Sequence, residues 1–228
     1  MAESTLVFNV LSFGAKPNGV IDSTQAFLDV WTAACASYDS TTIRVPKGRY
    51  LLHNAMVFNG DNCKSTDITF RIDGTLIASS DYRILGQANN WLSFEGVTGV
   101  SIIRSALDLT LKVPPCGHAS LEALIAPMEE PRLSLSFTNS KNININGLMS
   151  LNSHMFHIVI NGCQDVCIKG VKVNAAGNSP NTDGICLQHN QPSISSLKTT
   201  STKAVTLSPL PKEDTLPRCQ TPAEAPDY

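Results

Sequence analysis

The chain repeats a pattern of alternating apolar residues at two intervals, and this constrains its fold more than any other feature. The stretch WLSFEGVTGVSI from Trp91 aligns with SLSFTNSKNINI from Ser134, at an interval of 43 residues. The stretch NINING resembles VCIKGV when Ile143 is placed on Val166, at an interval of 23 residues. Because the longer interval is nearly twice the shorter, the sequence indicates a repeat of a little over twenty residues.

A repeat of this length, built from short strands and turns, predicts an all-β parallel solenoid. A single coil cannot bury its apolar face alone, so neighbouring coils must stack and continue one core. We therefore expect Ile143, Ile145, Val166 and Ile168 to be buried in aligned rows. A β-sandwich is the alternative all-β fold, but it predicts hairpin turns and no fixed interval.

One segment near the N-terminus has the pattern of a helix. The stretch DSTQAFLDVWTAACAS begins at Asp22, and either Asp22 or Ser23 can cap it. Its apolar residues recur at helical spacing, which places them on one face. We expect this helix to cover the open end of the solenoid core. The residues of the apolar face are Phe27, Val30, Trp31 and Ala34.

Composition excludes several classes of partner. Charged residues make up 16% of the chain and the net charge is −2, which argues against nucleic acid as a partner. No apolar run is long enough to span a membrane, and no signal peptide is visible at the start of the chain. Seven cysteines occur without CxxC pairs or histidines at zinc spacing, so we expect no metal. Buried free thiols are the plainer interpretation of the cysteines, and disulfides would need an oxidising compartment.

Three stretches resemble the plant polygalacturonases, the pectin-hydrolysing enzymes of glycoside hydrolase family 28. They are FNVLSFGAKPNGVIDSTQAFLDVWTAAC, VPKGRYLL, and the long stretch from SLSFTNSKNINING to AAGNSPNTDGI. The resemblance covers roughly residues 8–108 and 133–185. It implies a right-handed parallel β-helix, hydrolysis of α-1,4 bonds between galacturonic acids with inversion, no cofactor, and a monomer that is secreted to the cell wall and binds pectin or oligogalacturonide.

The resemblance assigns roles to two residues of the NTDG motif. It implies that Asp183 is catalytic, on the side that activates water, and that Asn181 binds substrate. Inverting hydrolysis also needs a second carboxyl group, roughly 6.5–9.5 Å away, to protonate the leaving oxygen. The later motifs of the family, Gly-Asp-Asp, Gly-His-Gly and Arg-x-Lys, do not follow in these 228 residues. We therefore expect the chain as written to be inactive, as a truncated relative or a pectin-binding pseudoenzyme.

Plainer interpretations of these residues stay open. Asp183 can be a turn residue, and Asn181 can form an amide ladder with a neighbouring coil. His154 and His157 have an odd spacing that places them on opposite faces of a strand, so we interpret His157 as a structural histidine. Another solenoid enzyme, a pectate lyase, would need clustered acids for calcium, and no such cluster is visible in the sequence.

Two segments depart from the repeat. Residues 109–131 show neither alternation nor turn residues, and the stretch from residue 191 to 228 is rich in Ser, Thr, Pro and Lys. We expect an incomplete β-helix domain over 1–190, with 109–131 outside the regular coils, and a disordered or unrelated tail over 191–228. A reading-frame slip in the coding sequence would explain the first segment, and a genuine insertion is the alternative.

Overall fold

The chain folds into a right-handed parallel β-helix, as the sequence predicted. The computed structural model describes residues 5–79, 90–104, 110–112, 133–151, 153, 156–174, 183–188, 194–201 and 205–207. Its strands pair in parallel and form two sheets, and successive coils add strands to both sheets in turn. No helix formed by these residues is long and apolar enough to cross a bilayer.

The first sheet has twelve strands, because each coil contributes to it on both sides of a bend. Strand β15 spans the bend and joins the two arms of the sheet. The strands are β1 (Leu6–Asn9), β2 (Asn18–Asp22), β3 (Thr41–Val45), β4 (Arg49–Leu52), β6 (Ile68–Ile72), β7 (Thr75–Ala78), β9 (Val100–Arg104), β10 (Thr110–Lys112), β12 (Lys141–Asn146), β13 (Met149–Leu151), β15 (Gln164–Asn174) and β17 (Ile194–Ser201).

The second sheet has six strands, which stack in chain order. Asp183 begins the fifth of these strands, so this sheet positions the candidate site. The strands are β5 (Met56–Asn59), β8 (Asn90–Glu95), β11 (Leu133–Thr138), β14 (Phe156–Asn161), β16 (Asp183–Gln188) and β18 (Val205–Leu207).

The predicted rows of the core are confirmed. Ile143 pairs with Val166 and Ile145 pairs with Ile168, and all four side chains are at most 1% exposed. Burial of such an aliphatic side chain stabilises a fold by roughly 1.5–3 kcal/mol. Stacking of coils therefore gives the apolar faces the cover that a single coil lacks.

The interval of 43 residues has a different meaning from the one inferred from the sequence. Leu92 pairs directly with Leu135, and Phe94 pairs directly with Phe137, so the interval spans one coil and not two. The interpretation as a doubled repeat was wrong, because strand pairing depends on backbone hydrogen bonds and not on the length of the connection. The extra residues lie between β9 and β11, outside the second sheet.

The predicted helix, α1 (Thr24–Ala36), packs over the N-terminal end of the core after a short 3-10 helix at Val10–Phe13. The carboxylate of Asp22 accepts a hydrogen bond of 2.9 Å from the backbone N–H of Thr24, while Ser23 makes no side-chain cap bond. The backbone N–H of His53 donates to the same carboxylate oxygen at 3.1 Å. Asp22 thus joins the start of the helix to the turn after β4. The predicted apolar face is buried: Phe27, Val30, Trp31 and Ala34.

An aromatic stack fills the core of the first coils. Phe94 lies between Phe58 and Phe137, with ring centroids 4.7 Å from each. Trp31 of α1 stacks on Phe70 at 5.9 Å, and its indole N–H donates a hydrogen bond of 3.1 Å to the carbonyl of Asn59. The helix is therefore held to the coils by ring contacts and by a directed hydrogen bond.

A disulfide between Cys35 and Cys63 also ties α1 to the coils. The plainer interpretation of the cysteines, as free thiols, is therefore wrong at this pair, and Cys186 is also disulfide-bonded. The two residues are 28 apart in sequence, but the end of the helix and the turn after β5 bring their Cα atoms to 4.3 Å. Cys163 is a buried thiol outside any disulfide, as expected, and Cys167 is likewise outside a disulfide and is partly exposed. Burial raises the pKa of the Cys163 thiol and so favours its neutral form.

The coils approach each other closely at their corners, and this requires glycine. Gly99 has a φ of +69°, and a Cβ atom there would lie 1.7 Å from the carbonyl oxygen of Thr66 in the preceding coil. Only a residue without a side chain fits both the backbone conformation and the space. The corner between β8 and β9 therefore requires glycine at position 99.

The two segments that depart from the repeat contribute strands where they are described. Residues 110–112 form β10, which pairs with β7 and β13, and residues 113–131 lie outside the described residues. In the expected tail, β17 pairs with β15 and β18 pairs with β16. The last coil offers its backbone groups to these two parallel strands, and the prediction of a disordered or unrelated tail over 191–228 stays a prediction. The division of the chain at residue 190 stays a prediction.

Candidate active site

Asp183 lies at the edge of the second sheet where its strands begin. It is the first residue of β16 and pairs with Phe156, the first residue of β14. Leu133 and Asn90 continue the same row on β11 and β8. The side chain of Asp183 and the whole of Asn181 lie outside the described residues. The structure therefore fixes where the backbone of the candidate base lies.

Buried side chains along β16 anchor the strand that begins at Asp183. Ile185 and Leu187 point into the core and are 1% and 4% exposed. Cys186 and Gln188 alternate with them and are also buried. With two aliphatic anchors in the core, the strand holds its first residue at the rim of the sheet. The place of Asp183 as the first residue of a strand agrees with the sequence interpretation.

Polar side chains are buried beside this rim. The Nδ1 atom of His157 is 2.8 Å from the hydroxyl of Ser150, and the hydroxyl of Ser134 donates to that of Ser153 at 2.8 Å. His157 follows Phe156 on β14, so it lies beside Gly184, the residue after Asp183. The interpretation of His157 as a structural histidine agrees with its complete burial and its bond to Ser150. His154 lies outside the described residues.

Sequence reasoning did not single out the buried serines of the second sheet, although the spacing of two of them indicates that they are neighbours. Ser93 and Ser136 are 43 residues apart, which is the interval of the repeat, and their hydroxyls are 3.1 Å apart. The side-chain amide of Asn90 donates to Ser93 at 3.0 Å. A polar residue that recurs at the repeat interval on the outward face predicts a hydrogen-bonded row. This row lies on the same sheet as Asp183.

The described part of the second sheet offers Asp183 no second acid at working distance. Glu95 is the other acidic residue in its strands, and it lies in the same row as Gln188 through Thr138 and Asn161. That row is five residues along the strand from Asp183, or about 16 Å. Inverting hydrolysis needs a separation of roughly 6.5–9.5 Å. Glu95 therefore cannot supply the general acid.

No site for a metal ion is visible in the described ranges. Among these residues, no group of three or more His, Cys, Asp or Glu side chains comes together in a way that could hold a metal. The chemistry that the site can support is that of a carboxylate. A carboxylate at this rim can accept a proton from water, but it cannot also protonate a leaving group.

Comparison with known proteins gives a consistent family and fold. Residues 35–198 match the family described as Glycosyl hydrolases family 28. A polygalacturonase of Prunus persica is 48% identical over 186 residues, which cover 81% of this chain and 46% of that protein. An exopolygalacturonase of Platanus acerifolia is 34% identical over 190 residues, covering 78% of this chain and 46% of the relative. The chain thus spans less than half the length of these relatives.

Solved structures share the fold at low identity. An exopolygalacturonase of Thermotoga maritima superposes with a TM-score of 0.59 at 14% identity, over 86% of this chain and 54% of that one. An endo-xylogalacturonan hydrolase of Aspergillus tubingensis gives a TM-score of 0.58 at 18% identity, over 90% and 51%. At these identities the likeness concerns the β-helix itself.

Proposed function

Because the chain belongs to family 28 of the glycosyl hydrolases, we propose that it carries the first catalytic motif of a polygalacturonase. The reaction would be hydrolysis of α-1,4 bonds between galacturonic acids in pectin. The observation that carries this proposal is the 48% identity to the Prunus persica polygalacturonase over 81% of the chain. The place of Asp183, at the rim of a sheet held by core residues, supports it.

In the proposed mechanism, Asp183 is the general base. Its ionised carboxylate would take a proton from a water molecule, which then attacks the anomeric carbon from the face opposite the leaving group. Asn181 would hydrogen-bond a sugar hydroxyl and fix the ring beside Asp183. A second carboxyl group must protonate the leaving oxygen. The strands of the second sheet that are described here do not supply it.

The 228 residues alone are therefore proposed to be inactive. The motif Gly-Asp-Asp, which resemblance to the family places about one coil after Asp183, does not occur in the sequence. The alternative to an active enzyme is a pectin-binding or inert relative of the family. The distance between Asp183 and Glu95 favours this alternative for the chain as written.

We further propose secretion to the cell wall as a monomer. The disulfide between Cys35 and Cys63 supports this, because disulfides form and persist in oxidising compartments. Pectin or an oligogalacturonide is the proposed binding partner.

Reducing-end release from polygalacturonic acid tests the proposed function. The 228-residue chain should release none, whereas a chimera that continues after β16 with the later coils of the Prunus persica relative should be active. In the chimera, Asp183→Asn should lower kcat by about 10²- to 10⁴-fold, because it keeps the shape of the side chain but removes the base. Affinity for oligogalacturonide should change little.

The matched control in the chimera is Glu95→Gln, which removes the other carboxylate of the sheet and should leave kcat unchanged. Hydrolysis by the 228-residue chain itself would contradict the proposal. So would an active chimera that is indifferent to Asp183→Asn, since Asp183 would then be a turn residue.

A further inference from the structure

Cations line up on the outer face of the first sheet, although they are far apart in sequence. Arg44, Arg71 and Lys169 occupy one register row on β3, β6 and β15, with Ile103 and Asn146 between them on β9 and β12. All three cationic side chains are exposed. Parallel strands are about 4.8 Å apart, so the row from Arg44 to Lys169 is about 19 Å long.

More cations lie just beyond this row, at the bend of the first sheet. Lys47 occupies the turn between β3 and β4, and Arg49 and Lys172 share a second row that runs through Thr75 and Met149. These three side chains are also exposed. We define the basic seam as the six residues Arg44, Lys47, Arg49, Arg71, Lys169 and Lys172.

The charge of the seam is concentrated and little compensated. The chain as a whole carries −2, so the seam does not reflect a generally basic protein. Among the described residues, the ion pair on the seam joins Arg71 Nε to Asp73 Oδ2 at 4.0 Å, and the Arg71 side chain remains 49% exposed. Like charges on directly paired strand positions, such as Arg44 and Arg71, repel each other. A bound anion would relieve this repulsion.

A row of uncharged polar side chains runs beside the cations. These residues lie two positions earlier on the same strands, on the same outer face, because side chains alternate along a strand. Their hydroxyl and amide groups suit the hydroxyls of a sugar. The residues of this row are Thr42, Thr69, Ser101 and Asn144, and the thiol of Cys167 ends it on β15.

We propose that the basic seam binds a linear polyuronate that runs along the axis of the β-helix. The seam carries four cations at one end and two at the other, about 19 Å apart, beside a polar row. This arrangement complements an extended polymer that carries one carboxylate and several hydroxyls per unit. The seam lies on the first sheet, whereas Asp183 lies on the second. The choice of a galacturonate polymer among polyuronates rests on the proposed function.

Two matched double variants of the 228-residue chain test the seam. Arg44→Gln with Lys169→Gln removes a cation from each end of the first row. Lys64→Gln with Lys141→Gln removes two exposed cations outside the seam and changes the net charge equally. The probes are polygalacturonate oligomers and the same oligomers with methyl-esterified carboxyls. Titration calorimetry at low ionic strength gives Kd, and circular dichroism checks that each variant is folded.

The seam variant should weaken binding of polygalacturonate by about 10-fold, and added salt should abolish the difference. The control variant should bind like the unchanged chain, and the esterified oligomer should not bind. Equal weakening in both variants would overturn the proposal, because it would show a net-charge effect. Binding of the esterified oligomer, or tighter binding of duplex DNA than of polygalacturonate at equal salt, would also overturn it.

Two separate measurements distinguish a failure of the seam proposal from a failure of the proposed function. Binding is measured on a chain that is not expected to hydrolyse its ligand, whereas the function is measured as reducing ends released by the chimera. An inactive chimera with an intact seam effect would refute the function alone. If the chimera is active but the seam variant of the 228-residue chain binds polygalacturonate as tightly as the unchanged chain, only the proposal of binding at the seam would be refuted.

Discussion

The first coils and the later coils of the β-helix are held together in different ways. Around α1, the core is a stack of aromatic rings, and a disulfide and the Asp22 carboxylate add further links. From β12 onward, the described core consists of aliphatic rows such as Ile145 on Ile168, joined by parallel backbone pairing. The candidate base, Asp183, lies among these later coils. The aromatic stack and the disulfide thus lie toward one end of the described fold, and the candidate base lies toward the other.

The largest expected difference concerns the aromatic stack. Phe94→Ala should lower the free energy of unfolding by about 3–5 kcal/mol, because the ring is 2% exposed and its removal leaves a cavity between Phe58 and Phe137. Urea denaturation followed by tryptophan fluorescence measures this. Ile168→Ala is the counterpart in the later coils and should cost less. Equal costs would break the distinction between the two regions.

The disulfide is the next largest contribution. Replacing both Cys35 and Cys63 with Ala should lower the free energy of unfolding by about 3–4 kcal/mol, since the bond closes a loop of 28 residues in the unfolded chain. The control is Cys163→Ala, which removes a buried thiol without opening a loop. Thermal denaturation with and without a reductant gives both values. A stability that does not respond to reductant would contradict the prediction.

The smallest expected effect concerns the carboxylate that caps α1. Asp22→Ala should lower the free energy of unfolding at pH 7 by about 1 kcal/mol, the usual cost of a lost cap. Asp22→Asn keeps an acceptor for the N–H of Thr24 and should cost less.

The pH dependence of the same site has a definite sign. Burial of Asp22 raises its pKa, but hydrogen bonds from Thr24 and His53 outweigh this and leave the pKa below 3.8. A depressed pKa in the folded state gives stability that is present above pH 3.8 and lost as the pH falls through the folded value. The difference between the unchanged chain and Asp22→Asn should therefore shrink below pH 3.8. Acid titration of both unfolding midpoints checks this, and a constant difference would count against it.

Much of the fold followed from local pattern. The alternation of apolar residues and the repeat interval together placed Ile143 on Val166, because parallel strands of successive coils pair with their apolar positions in register. Helical spacing placed Trp31 in the core, because apolar residues three or four positions apart share one face of a helix. Asp183 at the start of a strand followed from a turn motif next to an apolar alternation. In each case the determining contacts lie within one element or between two neighbouring coils.

Features that depend on register between distant coils did not follow from the sequence. The approach of Cys35 to Cys63 depends on where α1 ends relative to a turn 28 residues later. The seam joins Arg44 to Lys169 through strands whose intervals differ from coil to coil. The interval of 43 residues was also misread as two coils, because the length of a connection does not determine which strands pair.

The long coil between Phe94 and Phe137 has a consequence for how such a protein can change. Each doubling of a loop costs only about 0.6 kcal/mol in closure entropy, less than the roughly 1.5–3 kcal/mol gained by burying either of the two stacked rings. Mutation can therefore lengthen or rewrite the connection between β10 and β11 while the sheets on either side keep their pairing. Protein engineers can use the same tolerance, because the strands that flank this connection pair whatever its length.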